Sequence, residues 1–288
     1  MTKRERLIAK YLRAILILES MGLKQTSFVN RSQLTLRGIL EGKRGLAAFE
    51  IDPVTKAVLS TNENWALASS IIAQCEEALS DEFLSPGRDW ITMLEERAYG
   101  IGTEFGVSSA RTLGRRVRAG LTGIDATTLR MIQERGFENI AGLADDQIEY
   151  LRRKLMGGVI ENRTWTEVQK DIIRDGKIPA LIDSKGRLIE METRVENIVH
   201  METSQIAEQG TRDKAREIFG GDELAMKWHT ILDGRERDSH RERHGEVRLV
   251  TEWETVPHPS DGKALMPGQD FGCRCWGEYG TLELLKAA

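Results

Sequence analysis

Cys273 and Cys275, one residue apart, stand 33 positions after His240, and residues 229–288 hold four of the five histidines and two of the three cysteines. No other feature constrains the fold as much, because thiols and imidazoles gathered in one stretch point to one local centre around which the chain closes. Thiolate and imidazole are the side chains that bind a borderline-soft metal such as zinc. Residues i and i+2 of an extended segment point the same way, so Cys273 and Cys275 face one side, while His240 and His244 lie one helical turn apart. A tetrahedral zinc site would take His240, Cys273 and Cys275, with a fourth ligand from His244, His229 or Asp233. A metal-free alternative stands beside it, in which the thiols pack as small apolar groups and His240 donates to a backbone carbonyl or to Asp233. Asp233, Arg235 and His240 would then form a buried polar network that orders the long loop from Gly245 to Gly272. Under either reading these residues fix shape. The single residue between the two thiols is too short a loop for an unstrained disulfide, and the odd cysteine total points to reduced thiols in a cytosol.

A chain of 288 residues has room for one large domain or two ordinary ones. Charged residues make up 30% and aromatics 6%, a balance typical of a folded, helical protein. Lys and Arg total 41 against 45 Asp and Glu, a net charge of -4, which excludes a generic polyanion binder and leaves room only for local nucleic-acid contact. No apolar run approaches the ~20 residues of a membrane span. The basic start Lys3-Arg4-Glu5-Arg6 followed by apolar residues mimics a signal peptide, but no small-residue cleavage site follows Glu19-Ser20-Met21-Gly22.

The first part of the chain has a helical period. Leu7, Ile8, Tyr11, Leu12, Ile15, Leu16 and Leu18 predict a helix over 4–21 stopped by Gly22. Ser60-Thr61-Asn62 offers caps for a helix over 63–78, with Trp65, Ala68, Ile72 and Cys75 on one face. Pro86-Gly87 predicts a break before a helix over 90–99, and glycines at 100, 102, 106, 114, 120 and 123 predict a divided, mobile middle. Asp125 or Thr127 would cap a short helix ending at Gly136, and Asp145 or Asp146 another ending at Gly157-Gly158. Thr164 and Glu167 form a capping box for a helix ended by Gly176. Leu181-Ile182 and Leu188-Ile189 flank Asp183-Ser184-Lys185-Gly186 as a hairpin, and residues 193–218 return to a helix that buries Val195, Ile198, Val199, Ile206 and Ala207. Beyond Lys227, Val247, Leu249, Val250 and Trp253 predict short strands among ordered loops, and the tail predicts a closing helix. The fold class is α+β, with a helical region over 1–178 and a small α+β module over 179–288.

Within that module, Trp228, the run Asp233-Gly234-Arg235-Glu236-Arg237-Asp238-Ser239-His240, Gly245, Pro267 and Cys273-Arg274-Cys275 occur in an order that resembles the phage minor head proteins of the Mu F and SPP1 gp7 head-morphogenesis family. An Arg- and Glu-bearing helix precedes them, here with Arg194, Glu202 and Ala207, so the resemblance spans about 194–276. It implies a low-copy virion structural protein acting at the portal vertex in head morphogenesis, with influence on DNA packaging or ejection and no established enzyme activity. The implied partners are the portal protein and other capsid or scaffold proteins. The implied location is the virion head near the portal vertex, reached from the bacterial host cytoplasm during assembly. Many members carry a Cys-x-x-Cys pair where this chain has Arg237 and His240, which with a following Cys-x-Cys gives a four-thiolate zinc site. This chain departs there, since Arg237 cannot ligate a metal.

Other motifs point less far. Arg111, Arg115, Arg116 and Arg118 form a basic stripe that fits DNA phosphates or an acidic partner ring, or else a solvated helix face in which Arg111 and Arg115 are i,i+4 neighbours. Gly100-Ile101-Gly102 lacks a third glycine and a preceding strand, and no Walker-type Gly-Lys-Ser or Gly-Lys-Thr occurs, which argues against nucleotide binding. A metal-dependent nuclease acting on phage or host DNA is the competing function, with metal on His240 and the cysteines and His244 or Asp233 as base. Thiolate ligands argue against it, because Cys-rich centres more often close a structural site. Thirteen residues follow Cys275, too few for an appended effector domain.

Overall fold

The computed structural model describes residues 2–42, 49–117, 126–174, 177–179, 181–182, 187–221, 223–270 and 273–287. Arg118, Gly120, Gly123, Asp125, Gly176, the turn Asp183-Ser184-Lys185-Gly186 and Gly272, each given a role above, lie outside them. The fold is α+β, as expected. Long helices carry most of the chain, and a three-stranded antiparallel sheet lies near its C-terminal end.

Helices α1 (Lys3–Lys24), α2 (Ser27–Leu40) and α3 (Asn62–Leu79) come first. Thr61 caps α3 by accepting from the Asn64 amide, and Cys75 is fully buried on its apolar face. Gly22 does not end α1. It sits inside the helix, where a Cβ would lie 3.1 Å from Leu94 Cδ1 and 3.3 Å from Val199 Cγ1. Packing, not termination, accounts for this glycine.

The same correction recurs along the chain. Pro86-Gly87 produces no break: a π-helical turn, Ser80–Leu84, runs directly into α4 (Ser85–Thr112). Pro86 follows the π-helical turn within α4. Gly100, Gly102 and Gly106 lie within α4, and among the described glycines of this set Gly114, with φ +82°, follows its end. A Cβ on Gly102 would meet the Ala207 carbonyl oxygen at 1.9 Å, and one on Gly106 the Thr211 carbonyl oxygen at 3.0 Å. The two short helices expected between 125 and 158 are one, α5 (Ala126–Ile160). Gly158 lies within α5, where Val168 fills the space that a Cβ would need, at 2.3 Å. Asp146, expected as a cap, instead pairs with Arg194 at 3.1 Å.

Thr164 and Glu167 do form the capping box of α6 (Trp165–Ile172). β1 (Leu181–Ile182) and β2 (Leu188–Ile189) pair antiparallel. Helix α7 (Met191–Phe219) buries Val195, Ile198, Val199, Ile206 and Ala207 and stops before Gly220, φ +90°. Beyond it come β3 (Leu224–His229), α8 (Asp238–Arg243), β4 (Val247–Leu249), α9 (Val250–Thr255), β5 (Trp276–Thr281) and the expected closing helix α10 (Leu282–Ala287). Val250 and Trp253, expected on a strand, are buried on α9. The sheet order is β4-β3-β5, with Trp228 opposite Gly277 and Lys227 opposite Val247.

The chain forms two compact units, each assembled from separated segments: Met1–Leu23, Thr92–Glu134 and Asn197–Ala288 in one, Lys24–Ile91 and Arg135–Glu196 in the other. The second unit packs Phe28 against Phe83 and Trp90, ring centroids 5.4 and 5.5 Å apart. The first contains the sheet, and its core gathers Phe219, Met226, Trp228, Trp253, Cys273, Cys275 and Tyr279. Apolar burial of this kind, at ~25 cal/mol per Å², is the main source of stability for such a core. Among the described residues no helix is long and apolar enough to cross a membrane.

Candidate metal centre

Trp228 on the central strand β3 organises the site. Its side chain is fully buried against Trp253, and Arg243 and the edge of the His240 ring also pack on it. The Trp228 indole N–H donates to Thr230 Oγ1 at 3.0 Å, and Thr230 Oγ1 donates to the His240 carbonyl at 2.6 Å. Thr230 thus ties the end of β3 to α8. The position of α8 in turn aims the His240 ring at the segment entering β5.

His240, Cys273 and Cys275 come together there, all buried, with their ligand atoms within 4.8 Å of one another. His240 Nδ1 is 3.5 Å from Cys273 Sγ and 3.4 Å from Cys275 Sγ. The Cys275 amide points at Cys273 Sγ, 3.4 Å away. A hydrogen bond from the Cys275 thiol, aided by His240, lowers the Cys273 pKa against the opposing effect of burial, and the partner bond together with burial raises Cys275. On the far side of the ring, His240 Nε2 lies 3.4 Å from Asp270 Oδ2, close enough for an ionic contact but not aligned as a hydrogen bond.

This donor set fits zinc. A tetrahedral centre with Zn–S about 2.3 Å and Zn–N about 2.0–2.1 Å places sulfur and nitrogen about 3.6 Å apart, which the Nδ1–Sγ distances of 3.5 and 3.4 Å match. A carboxylate behind the second ring nitrogen is the usual way of fixing a ligating imidazole. When bound, the metal would cross-link α8 to the start of β5.

The three residues considered for a fourth ligand are each engaged elsewhere. His244, exposed, accepts the Thr230 amide on Nδ1 at 3.0 Å. His229 stacks on Trp276 at 4.0 Å with Nε2 3.2 Å from Glu278 Oε2, and burial lowers its pKa. Asp233 takes both Arg274 guanidinium nitrogens at 2.6 and 2.7 Å, which holds its carboxyl far below the usual range. Arg237, where a thiolate was implied by the family pattern, pairs with Asp270 at 3.1 Å.

The expected network of Asp233, Arg235 and His240 divides into two. Asp233 and Arg235 are exposed and paired with each other at 3.2 Å, whereas His240 is buried with the thiols. Other residues brace the loop after Gly245. Arg243, fully buried, makes a two-pronged contact with Asp261 at 3.1 and 2.7 Å and donates to the Lys263 carbonyl. His258 bridges Glu246 at 2.8 Å and Ser260 at 2.7 Å. Neither pair shows a periodic or motif signal in the sequence. Asp270, three residues before Cys273, was equally silent.

Glu208 on α7 is a second buried group that sequence reasoning missed. It accepts the Gly277 amide at 3.1 Å and the Tyr279 hydroxyl, and burial pushes its carboxyl up to about 7. The basic stripe is reshaped as well. Because α4 ends at Thr112, Arg111 and Arg115 are not neighbours on one helix, and the Arg115 guanidinium lies 5.7 Å over the Phe219 ring.

The family described as Phage Mu protein F like protein matches residues 149–277, just under half of the chain. No curated protein and no solved structure matches. The matched stretch includes residues 194–276, from which the resemblance was drawn, and begins within α5. That stretch, which holds His240, Cys273 and Cys275, is similar to the phage Mu protein F-like family, which suggests a phage head-related protein.

Proposed function

We propose that this protein is a minor head component of a phage virion that acts at the portal vertex during head morphogenesis. The family match over residues 149–277 is the observation that carries this reading. The buried His240, Cys273 and Cys275 fit it in a second way, since a zinc on them would cross-link α8 to the segment entering β5 and hold the C-terminal lobe as a rigid fitting. The portal protein is the proposed partner, with other capsid or scaffold proteins beside it. DNA packaging or ejection would be influenced through that position. Assembly would take place in the bacterial host cytoplasm, and the mature location would be the head near the portal. Arg111, Arg115, Arg116 and Arg118 are the proposed points of any DNA contact.

Co-expression with the cognate portal protein tests this. Stable co-sedimentation with intact portal rings, at fewer copies than the major capsid protein in virions, is the expected result. Portal rings and purified chain that ignore each other under assembly conditions would overturn it.

A further inference from the structure

The metal centre proposed above has three protein ligands in place and lies beside a pocket. His240, Cys273 and Cys275 all line this pocket, whose volume is about 150 Å³, so the ligand side chains are reachable from it. Thr230, Arg235, Arg237 and Arg274 complete most of the wall. We infer that the centre keeps one coordination position for an oxygen anion, a carboxylate or phosphate group, admitted through this arginine-lined pocket. The inference rests on the metal reading and adds to it what the fourth ligand is.

Three observations carry it. First, the histidines and aspartate nearest in sequence are occupied: Thr230 holds His244, Glu278 holds His229, and Arg274 holds Asp233. A centre with three protein ligands takes its fourth from solvent or solute, whereas a closed structural site supplies four. Second, the pocket wall presents guanidinium groups. Its lining includes three arginines against one carboxylate, Glu236, and that carboxylate is engaged by Arg241 at 2.8 Å and by the Gly234 amide at 2.7 Å. Third, the arginines are held in place by carboxylates behind them, Asp233 for Arg235 and Arg274, Asp270 for Arg237. A guanidinium has five N–H donors in a planar fork, so one carboxylate partner does not exhaust it, and the fork matches a second oxygen anion. Two thiolates and a neutral imidazole cancel the charge of a divalent metal, so an entering anion meets no net negative charge at the centre itself.

Asp270 gains a role from the same geometry. Its Oδ2 lies 3.4 Å from His240 Nε2, and a hydrogen bond closed across that gap when metal binds would make it a positioning residue that turns Nδ1 to the two sulfurs.

The test uses the full chain, reduced and loaded with cobalt(II), whose visible bands report coordination number and ligand exchange. Inorganic phosphate and acetate are titrated separately. The expected result is tetrahedral cobalt bands that shift saturably with at least one anion. Phosphate alone would identify a phosphate site and acetate alone a carboxylate site. Arg235→Gln, a change at a side chain 78% exposed, should leave cobalt binding intact and weaken the anion response about tenfold, the loss of one charge-assisted contact. Arg274→Gln serves as a second variant with the same expectation. Tetrahedral bands indifferent to both anions, or an anion response unchanged in both variants, would overturn the open position and leave the metal reading standing. Failure of the reduced wild-type chain to bind cobalt or zinc would overturn both.

Discussion

Gly102 of α4 and Ala207 of α7 approach so closely that a Cβ on Gly102 would lie 1.9 Å from the Ala207 carbonyl oxygen. The contact is reciprocal one turn along, where a Cβ on Gly210 would lie 2.5 Å from the Tyr99 carbonyl oxygen. Two helices thus touch backbone to backbone at paired glycines. Gly100, two residues earlier, has nothing within 4 Å of its Cβ position.

Gly102→Ala should therefore cost several kcal/mol, on the order of 3, through forced separation of α4 and α7. Gly100→Ala should be neutral or stabilise by up to about 1 kcal/mol through helix propensity. Urea unfolding of the two variants measures both. Equal effects would show that the close approach is not a feature of the folded protein.

Glu208 predicts a pH dependence. Its carboxyl ordinarily titrates near 4.5, and burial pushes it up to about 7 in the folded chain. Below 4.5 it is neutral in both states. As pH rises from 4.5 to 7 the unfolded chain ionises it while the native state keeps it protonated, so native stability falls across that window and not further above it. Glu208→Gln imitates the neutral form. Its stability should match the wild type near pH 4 and exceed it at pH 8 by up to about 3 kcal/mol. Thermal unfolding of both proteins across this range decides it, and a gap that does not change with pH would refute the assignment.

The pair of Arg243 and Asp261 predicts an asymmetry between charge removal and charge replacement. Arg243 is fully buried and Asp261 largely so. Asp261→Asn strands a buried guanidinium and should destabilise the protein by roughly 3 kcal/mol. The double change Arg243→Met with Asp261→Asn removes the stranded charge and should recover part of that loss. A double variant less stable than the sum of the two single changes would contradict this account.

Much of the architecture was legible in the residues. The Thr164 and Glu167 capping box, the Leu181-Ile182 and Leu188-Ile189 pairing, the buried face of α7 and the closing helix all follow from local spacing and capping chemistry. Glycine was the systematic source of error. Local spacing reads Gly22 and Gly158 as helix stops, Gly87 as a break and Gly102 as a divider, but each marks a place where another side chain or backbone fills the missing Cβ volume. Local sequence cannot distinguish these two uses, because the partner is distant in the chain. For the site, His240, Cys273 and Cys275 were legible because soft donors are scarce in this sequence. Asp270, Arg243, Asp261 and Glu208 were not, since charged residues are common and only the fold reveals which of them are buried.

Asp270 yields a prediction that separates packing from ligand positioning. Asp270→Asn should leave the unfolding temperature of the metal-free chain nearly unchanged and lower zinc affinity by about 10- to 100-fold, the usual effect of removing a partner behind a ligating histidine. Competition with a chromophoric chelator measures it. Unchanged affinity would mean that Asp270 does not orient the ring.

The most direct test is the zinc content of the full chain purified under reducing conditions without chelator, together with X-ray absorption at the zinc edge. The expected result is one zinc per chain with two sulfurs and one nitrogen in its first coordination shell, lost in Cys273→Ser and in His240→Ala. A chain with no bound zinc, or with zinc retained in both variants, would contradict the claim that His240, Cys273 and Cys275 pin the C-terminal lobe through a metal.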